Sequence, residues 1–274
     1  MHKQILSNKL RVVVERRTGD EPDPPHVDFA GVGARELDLL NIDISFPSEH
    51  TVCGRRFEGE MKYFFFHPTK QVLVAIAFLL DTSDEAPINE HMQLLIEEFG
   101  KLHDRHDKWC QWSATERMGS SNVTNTDGTE PVRRLRKKGV WDPFHPAIQK
   151  TVHFWGYTGS LTEPPCSGWS VLWRVMDVPV TLSKEQLGQM RKFLFTNRDP
   201  NTCAFTSVHS NDAVARPIQN PVAYYKCTRK DFVSDEERLI CGDAGCADPF
   251  GKDQDPYFEP LVHVTEPPSS APVV

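Results

Sequence analysis

Short runs of alternating apolar and polar residues predict that most of this chain forms β-strands. Residues 10–14 and 39–45 alternate in this way, and a period of two places successive side chains on opposite faces of a sheet. Residues 57–66 and 72–80 are richer in apolar side chains and are separated by a turn-forming segment, which predicts a β-hairpin. Further strands are predicted at 169–175 and 222–226.

Two segments have the periodicity of an amphipathic helix instead. Within residues 88–112, apolar side chains recur every three or four positions, which is the stripe that a helix buries against a core. Residues 183–195 begin with Ser183, a residue type that caps helix N-termini, and continue with apolar side chains at helical spacing. The chain is therefore expected to combine a few helices with many strands.

Two polar segments are predicted to lie outside the regular elements. Residues 113–138 are rich in Ser, Thr, Asn and Gly and end in the basic run 133–138, so they predict an exposed loop. The basic run is interpreted as a solvated loop edge, with contact to an anionic partner as the alternative. From residue 259 onward the chain is rich in proline and lacks apolar periodicity, which predicts an extended tail that is either disordered or laid along a partner.

Composition and charge exclude two classes of function. The chain has 274 residues, of which 39% are hydrophobic and 25% charged, as is typical of globular proteins. Its longest apolar run, residues 72–80, is well short of the about 20 residues that a membrane-spanning helix needs. The net charge is −7 and the basic residues form no continuous stripe, so we expect neither a membrane span nor a nucleic-acid partner.

Seven cysteines give a further indication of the environment. None lies in a CxxC pair, so a structural zinc site is not expected. Four of them follow residue 200, which favours a partly disulfide-bonded protein, secreted or in an organelle lumen, over a redox enzyme. The N-terminus lacks a signal-peptide pattern, so the sequence leaves the compartment undetermined. Candidate pairs are Cys241 with Cys246 and Cys203 with Cys227.

Three separated segments together resemble the α-class carbonic anhydrases. They read LLNIDISFPSEHTVCG at 39–54 with EMK at 60–62, WGYTGSLTEPPC at 155–166, and WRVMDVP at 173–179. The resemblance covers roughly residues 10–226 and implies an α+β, sheet-dominated fold. In that fold a large central twisted sheet, mixed but mostly antiparallel, carries peripheral helices.

The resemblance also implies a domain organisation. Residues 1–227 would form one carbonic anhydrase-like domain with a loop insertion at 113–138, and residues 228–274 a C-terminal extension that contains Cys and Pro. The family's N-terminal segment, with its aromatic cluster and Gln-Ser-Pro motif, has no counterpart here. Either this sequence is truncated or another chain supplies that segment.

The positions that hold zinc in the family carry no histidine in this chain. The three places are occupied by Asp43, Ser45 and Lys62. Asp43 and Ser45 are two residues apart on one strand and share a face, and Lys62 is expected opposite them on the neighbouring strand. A protonated lysine has no lone pair to offer zinc and repels the cation. Zinc is therefore predicted to be absent, and no cofactor and no catalytic residue are expected.

Residues that support the family's zinc site are nevertheless present. Thr162 and Glu49 match the pair that orients the zinc-bound hydroxide, and Asn41 and Glu60 match residues that hold the ligating histidines. The simplest interpretation is a retained scaffold, because a buried Thr–Glu hydrogen bond stabilises a fold with or without a metal. Two further residues match positions that line the apolar carbon dioxide pocket, namely Trp173 and Val74.

Two other features of the family are altered. The place of the proton-shuttle histidine falls near Asn8 or Lys9, neither of which relays protons at neutral pH as histidine does. In secreted members the cysteine after Pro-Pro pairs with one in the N-terminal segment, so the resemblance implies that Cys166 is unpaired or atypically bonded. Both features point away from the family's hydration reaction.

These observations favour a catalytically inactive carbonic anhydrase-like protein, similar to the family's carbonic anhydrase-related proteins, that acts as a binding or structural subunit with a protein partner. One alternative is a carbonic anhydrase with an unusual metal or a relocated site, for instance at His50 or His67. Another is the binding of a new ligand in the vacated site. The leading hypothesis predicts a buried ion pair between Lys62 and Asp43.

The same hypothesis predicts that the function resides on surfaces added to the family core. Residues 113–138 and the extension after residue 228 lie beyond what the fold requires. Residues 248–274 are expected to lie against another subunit or back along the domain, and the basic run 133–138 to meet an acidic partner if it meets one.

Overall fold

The computed structural model describes residues 1–15, 25–29, 34–67, 72–83, 85–117, 139–163, 166, 171–207, 209, 215–219 and 223–228. This part of the chain contains two helices, α1 (Glu90–Arg117) and α2 (Lys184–Thr196). Its strands are β1 (His2–Ile5), β2 (Leu10–Val13), β3 (His26–Phe29), β4 (Ala34–Ser45), β5 (Thr51–Val52), β6 (Arg55–Arg56), β7 (Gly59–His67), β8 (Val72–Asp81), β9 (Phe154–Gly159), β10 (Val171–Met176), β11 (Val180–Thr181) and β12 (Tyr224–Cys227).

One large sheet dominates the described residues. Eight of its ten strands follow the order β1-β2-β4-β7-β8-β10-β9-β12, with β3 beside β4 and β11 beside β8. The strands β10 and β11 run parallel to β8, whereas the other described pairs in the sheet are antiparallel. A separate antiparallel pair is formed by β5 and β6. The predicted α+β, sheet-dominated fold class is therefore confirmed.

The strands predicted from alternation lie where the sequence placed them. Residues 39–45 form the second half of β4, and the hairpin prediction is confirmed by the antiparallel pairing of β7 with β8. The strands β10 and β12 each begin two residues later than predicted. The strands β1 and β9 were not predicted, because residues 2–5 are mainly polar and residues 154–159 contain two glycines, which weaken a strand pattern.

Both helices pack by the apolar stripe that their sequences show. The helix α2 begins with a capping box, in which the Ser183 hydroxyl accepts from the Gln186 N–H at 3.3 Å and the Gln186 side chain accepts from the Ser183 N–H at 3.2 Å. The helix α1 extends to Arg117, so residues 113–117, which were predicted to belong to a loop, are helical. Neither described helix is long and apolar enough to cross a membrane.

The two faces of the sheet carry different cores. The main core lies between the sheet and the two helices and includes Val12, Ile42, Ile44, Met61, Phe65, Val74, Phe78, Leu95, Phe99, Met190 and Leu194. The second core, on the opposite face, consists of Phe64, Ala75, Ala77, Leu79, Val171, Trp173 and Val175. Alternate residues of β7, β8 and β10 divide between these cores because successive side chains of a strand point in opposite directions. We call the face with the second core the site face.

A disulfide connects α1 to the loop after α2, and it differs from the expected pairing. Cys110 is bonded to Cys203, with their Cα atoms 5.4 Å apart, so the predicted pair of Cys203 with Cys227 is wrong. Cys166 forms no disulfide with any described residue, as expected, and neither does Cys227. The other predicted pair, Cys241 with Cys246, lies outside the described residues, as do positions 118–138 and 248–274.

Two glycine-to-alanine substitutions test the packing. A Cβ on Gly59 would lie 2.7 Å from Cδ1 of Phe46, a fully buried ring, whereas a Cβ on Gly188 in α2 would meet nothing within 4 Å. We expect Gly59→Ala to lower the free energy of unfolding by about 1–3 kcal/mol through overpacking. Gly188→Ala should be neutral or raise it by up to about 1 kcal/mol, since alanine is the better helix former. Urea denaturation measures both, and equal effects would contradict the packing described.

Candidate functional site

The three positions expected to replace the zinc ligands come together on the site face. The pairing of β4 with β7 places Asp43 opposite Lys62 and Ser45 opposite Glu60. The pairing of β2 with β4 places Arg11 opposite Asp43. All of these side chains except that of Arg11 are fully buried, Asp43 and Ser45 at 1% exposure and Lys62 at 2%. The prediction that the three positions share one face is therefore confirmed.

Asp43 is held by three neighbouring donors. Arg11 donates through a fork, from Nε to Oδ1 at 2.6 Å and from Nη2 to Oδ2 at 2.7 Å. Lys9 Nζ donates to Oδ2 at 3.0 Å, and Asn41 Nδ2 donates to Oδ1 at 3.0 Å. Burial raises the pKa of Asp43, but the hydrogen bonds from Arg11 and the positive charges of Lys9, Arg11 and Lys62 outweigh it and leave that pKa below its ordinary value.

Lys62 has a different partner from the one expected. Its ammonium group contacts the Glu49 carboxylate and donates to Oγ1 of Thr162 at 3.2 Å. The salt bridges of Asp43 are made by Lys9 and Arg11, so the predicted ion pair between Lys62 and Asp43 is wrong. Burial lowers the pKa of Lys62 to about 7, although the charge of Asp43 acts in the opposite direction.

Lys9 and Glu163 extend the cluster toward solvent. Lys9 Nζ contacts the Glu163 carboxylate as well as Asp43, and Arg11 Nη2 lies 3.8 Å from Oε1 of Glu163. The side chain of Lys9 is nearly buried, whereas Glu163 is about one-third exposed. Three cationic and three anionic side chains therefore form a charge-balanced cluster. We call it the charge network, and it consists of Lys9, Arg11, Lys62, Asp43, Glu49 and Glu163.

Arg11 and Glu163 were not predicted to belong to the site, and Lys9 was predicted only to be a poor proton shuttle. A signal for Arg11 was present, because it is the charged residue between Leu10 and Val12, which both face the main core. Glu163 directly follows Thr162, the residue that matches the family pattern. Charged residues at alternating positions of a buried strand predict partners on the adjacent strands.

A second polar cluster supports the turn that carries Glu49. The Glu60 carboxylate accepts hydrogen bonds from the backbone N–H groups of Glu49 at 2.7 Å and His50 at 3.0 Å, and it contacts Nδ1 of His50. Nε2 of His50 lies 2.6 Å from the hydroxyl oxygen of Tyr157. Burial, with the nearby charge of Glu60, raises the pKa of Tyr157 well above its ordinary value. Glu60 therefore positions Glu49 through the backbone.

The two residues matched to the apolar pocket lie on opposite faces of the sheet. Trp173 belongs to the second core, where its indole N–H donates to the Ser160 carbonyl at 3.1 Å and its ring lies 4.8 Å from that of His50. Val74 belongs to the main core, and the neighbouring Ala75 takes the site face. The expectation that Val74 lines the site is wrong, because the register of β7 with β8 turns this residue toward the helices.

The side chains at the three matched positions do not fit a zinc ion. Asp43 could donate an oxygen, but its carboxylate already accepts from Arg11 and Lys9. Lys62 offers only N–H donors while it is protonated. The hydroxyl of Ser45, buried on the same face, has no hydrogen-bond partner among the described residues. Among the residues that the structure places, no group of three His, Cys, Asp or Glu side chains could hold a metal ion.

The chain is similar to known carbonic anhydrases. The sequence model of the eukaryotic-type carbonic anhydrase family matches residues 43–221. Carbonic anhydrase 7 of Homo sapiens is 28% identical over 165 residues, covering 56% of this chain and 50% of that protein. Mitochondrial carbonic anhydrase 5B of Rattus norvegicus is 30% identical over 154 residues, covering 56% of this chain and 42% of that protein. The chain thus matches half or less of the length of these relatives.

A comparison with solved structures also found similar chains. The α-carbonic anhydrase of Thermovibrio ammonificans, in complex with the inhibitor sulfanilamide, is 19% identical with a TM-score of 0.48, covering 80% of this chain and 72% of that one. Dioscorin complexed with ascorbate is 18% identical with a TM-score of 0.46, covering 80% of this chain and 72% of that one.

Neutralising Asp43 tests the energetic weight of the charge network. Asp43→Asn would leave Lys9 and Arg11 with one fewer anionic partner in a buried place, so we expect the free energy of unfolding to fall by about 3–5 kcal/mol. The matched control is Asp81→Asn, which breaks a more exposed pair with Arg55 and should cost at most about 1 kcal/mol. Similar costs in urea denaturation would show that the network is not a buried, coupled unit.

The lowered pKa of Lys62 predicts a pH dependence with a defined sign. The folded value of about 7 lies below the ordinary 10.5, so between these pH values the unfolded chain binds a proton that the folded chain does not. Relative to Lys62→Met, the free energy of unfolding of the wild-type chain should rise as the pH increases from 7 to 10.5, by up to about 1.4 kcal/mol per unit. A difference in the free energy of unfolding between the two proteins that does not change over this pH range would show that Lys62 has an ordinary pKa in the folded chain.

Proposed function

Since this chain belongs to the eukaryotic-type carbonic anhydrase family, we propose that it is a catalytically inactive member that acts as a binding or structural subunit. The observation that carries the proposal is the charge network, in which the three positions matched to zinc ligands hold a paired carboxylate, a hydroxyl and an ammonium group. This arrangement is suited to compensating buried charge rather than to binding a cation.

The chemistry of metal-assisted hydration supports inactivity. A catalytic zinc site needs three N, S or O donors and an open position where bound water ionises near neutral pH. The cationic groups of Lys9 and Arg11 contact Asp43 at this place, and they oppose the entry of a metal ion by charge repulsion. Lys62 adds to this repulsion while it is protonated. The residues present therefore neither supply the ligands that a catalytic zinc ion needs nor provide an electrostatic environment that attracts it.

The retained pair of Glu49 and Thr162 has another partner in this chain. The family residues that these two match orient a zinc-bound hydroxide. In this chain, Glu49 and Thr162 both contact the side-chain nitrogen of Lys62. Asn41 likewise donates to Asp43 rather than to a histidine. Their presence is explained by the stability of the charge network, so it does not argue for a retained reaction.

A relocated metal site at His50 receives no support from the geometry. Nδ1 of His50 contacts the Glu60 carboxylate and Nε2 lies within hydrogen-bond distance of the Tyr157 hydroxyl, so both ring nitrogens are engaged. His67 ends β7, and its side chain is outside the described part of the chain. We therefore retain the inactive protein as the proposed function.

One surface feature is consistent with a binding role. Several large aromatic side chains are half-exposed or more, including Trp109 and Trp112 on α1 and Phe205 after α2, and exposed aromatic residues are enriched at protein contact surfaces. The disulfide between Cys110 and Cys203 favours an oxidising compartment. We propose that the partner is a protein.

Metal analysis combined with a carbon dioxide hydration assay tests the proposed inactivity. The purified full chain, incubated with excess zinc and then desalted, is expected to retain no stoichiometric metal and to leave the hydration rate at the uncatalysed value. Human carbonic anhydrase 7, treated identically, is the positive control. Stoichiometric zinc together with a rate above background would overturn the proposal, and loss of that rate in His50→Ala would then assign it to a relocated site.

A further inference from the structure

An open groove runs along the outer surface of α2 on the described part of the chain. It has a volume of about 600 Å³ and is lined by residues of α2 and of the loop that follows. The lining includes Gly188, Arg191, Lys192, Phe195, Phe205 and Ser207. This groove is separate from the charge network, which lies on the site face of the sheet.

The groove combines an apolar floor with a cationic rim. Phe195 is largely buried, whereas the ring of Phe205 is 55% exposed. The guanidinium carbon of Arg198 lies 4.5 Å from the centroid of the Phe205 ring, and that of Arg191 lies 5.9 Å from the centroid of Phe195. An occupant should therefore offer apolar or aromatic side chains together with carboxylates.

Two acidic side chains also lie near the rim of the groove. Glu58 lies 3.9 Å from Arg191, and Asp107 lies 3.8 Å from Arg198, each as a loosely held and partly exposed pair. Lys192 adds a further positive charge to the lining of the groove. Among the described residues, no acidic side chain belongs to this lining. The carboxylates of Glu58 and Asp107 partly neutralise Arg191 and Arg198. The positive charge of Lys192 still favours an acidic occupant.

Gly188 leaves an open position in the wall of the groove. A Cβ added there would meet no atom within 4 Å, although glycine is a poor residue for a helix interior. A side chain at this position would project into free space rather than into the protein. The position therefore allows the groove to be filled by substitution without disturbing the core.

The C-terminal part of the same chain has the complementary composition. Residues 229–274 contain ten acidic and four basic residues, a net charge of −6 against −7 for the whole chain. Within them, residues 248–259 read DPFGKDQDPYFE and carry four carboxylates, one lysine and three aromatic side chains. We propose that residues 248–259 bind in the α2 groove, with Tyr257 and Phe258 on the apolar floor and the acidic residues at the cationic rim.

The chain is long enough to make this contact. The last described residue, Thr228, directly follows β12, and residues 229–247 form a connection of 19 residues. Such a connection spans up to about 63 Å when extended, which exceeds the roughly 45 Å diameter expected from the radius of gyration of a domain of this size. Tethering raises the effective concentration of the segment into the millimolar range, so modest affinity suffices.

Fluorescence anisotropy with a labelled synthetic peptide of residues 248–259 tests the proposal on the full chain. The peptide is titrated with Tyr257→Ala/Phe258→Ala, a variant whose own segment should no longer occupy the groove, and binding in the micromolar range is expected. The wild-type chain should bind the peptide at least tenfold more weakly, because its own segment competes. A lower peptide affinity of the wild type than of the variant would show that the tethered segment occupies the groove.

Two further changes, added to the Tyr257→Ala/Phe258→Ala variant, locate the binding surface. Gly188→Leu should weaken peptide binding at least tenfold by filling the groove, and Arg191→Glu/Lys192→Glu should do the same through charge. The matched control is Arg105→Glu/Lys108→Glu, which reverses two charges on the exposed face of α1 and should leave binding unchanged. Urea denaturation confirms that each variant is folded.

Each contrary outcome overturns the inference. Absence of peptide binding, or binding that Gly188→Leu and the groove charge reversal do not weaken, places the segment elsewhere. Loss of binding only on charge reversal of residues 133–138 assigns it to that basic run. Equal peptide affinity of the wild type and Tyr257→Ala/Phe258→Ala excludes occupation by the tethered segment, and a wild-type affinity that changes with protein concentration assigns the contact to a second copy. None of these results depends on whether the protein hydrates carbon dioxide.

Discussion

Compensation of buried charge is the constraint on which the arrangement of the site face depends. Asp43 and Lys62 are fully buried opposite one another on adjacent strands, where an uncompensated charge would cost several kcal/mol. Each finds a partner on another element, Asp43 on β2 through Arg11 and Lys62 on the turn that carries Glu49. One set of ion pairs therefore couples the positions of β2, β4 and β7 to those of the segments that carry Glu49 and Glu163.

The opposite face of the same strands makes this register difficult to change. Leu10, Val12, Ile42, Ile44 and Met61 are fully buried in the main core, and the charged residues alternate with them along β2, β4 and β7. A slip of one residue would turn the charges of the network into the apolar core and the apolar residues toward the charges. Hydrophobic burial on one face and charge compensation on the other therefore specify the same alignment of strands.

Local patterns predicted the elements well, whereas long-range partners had to come from the structure. Alternation was sufficient for the second half of β4, and two apolar runs around a turn were sufficient for β7 and β8. Helical spacing was sufficient for α1 and α2, because each of these signals is contained in a short segment. The pairing of Lys62 with Glu49 was not predicted, because a long side chain can reach several carboxylates and the strand register does not choose among them. The face of Val74 and the bond between Cys110 and Cys203, 93 residues apart, likewise depend on tertiary packing.

The coupling within the charge network also explains why family-matched residues are weak indicators of chemistry at this site. Replacing Lys62 by histidine would leave Glu49 without its cation, and replacing Asp43 would leave Lys9 and Arg11 facing Glu163 alone. Because residues in one ion-pair network do not act independently, a metal site would require concerted changes on β2, β4, β7 and the segment after β9. Thr162 and Glu49 stabilise the present arrangement by contacting Lys62. Their match to the family pattern is therefore accounted for by the buried charge that they contact.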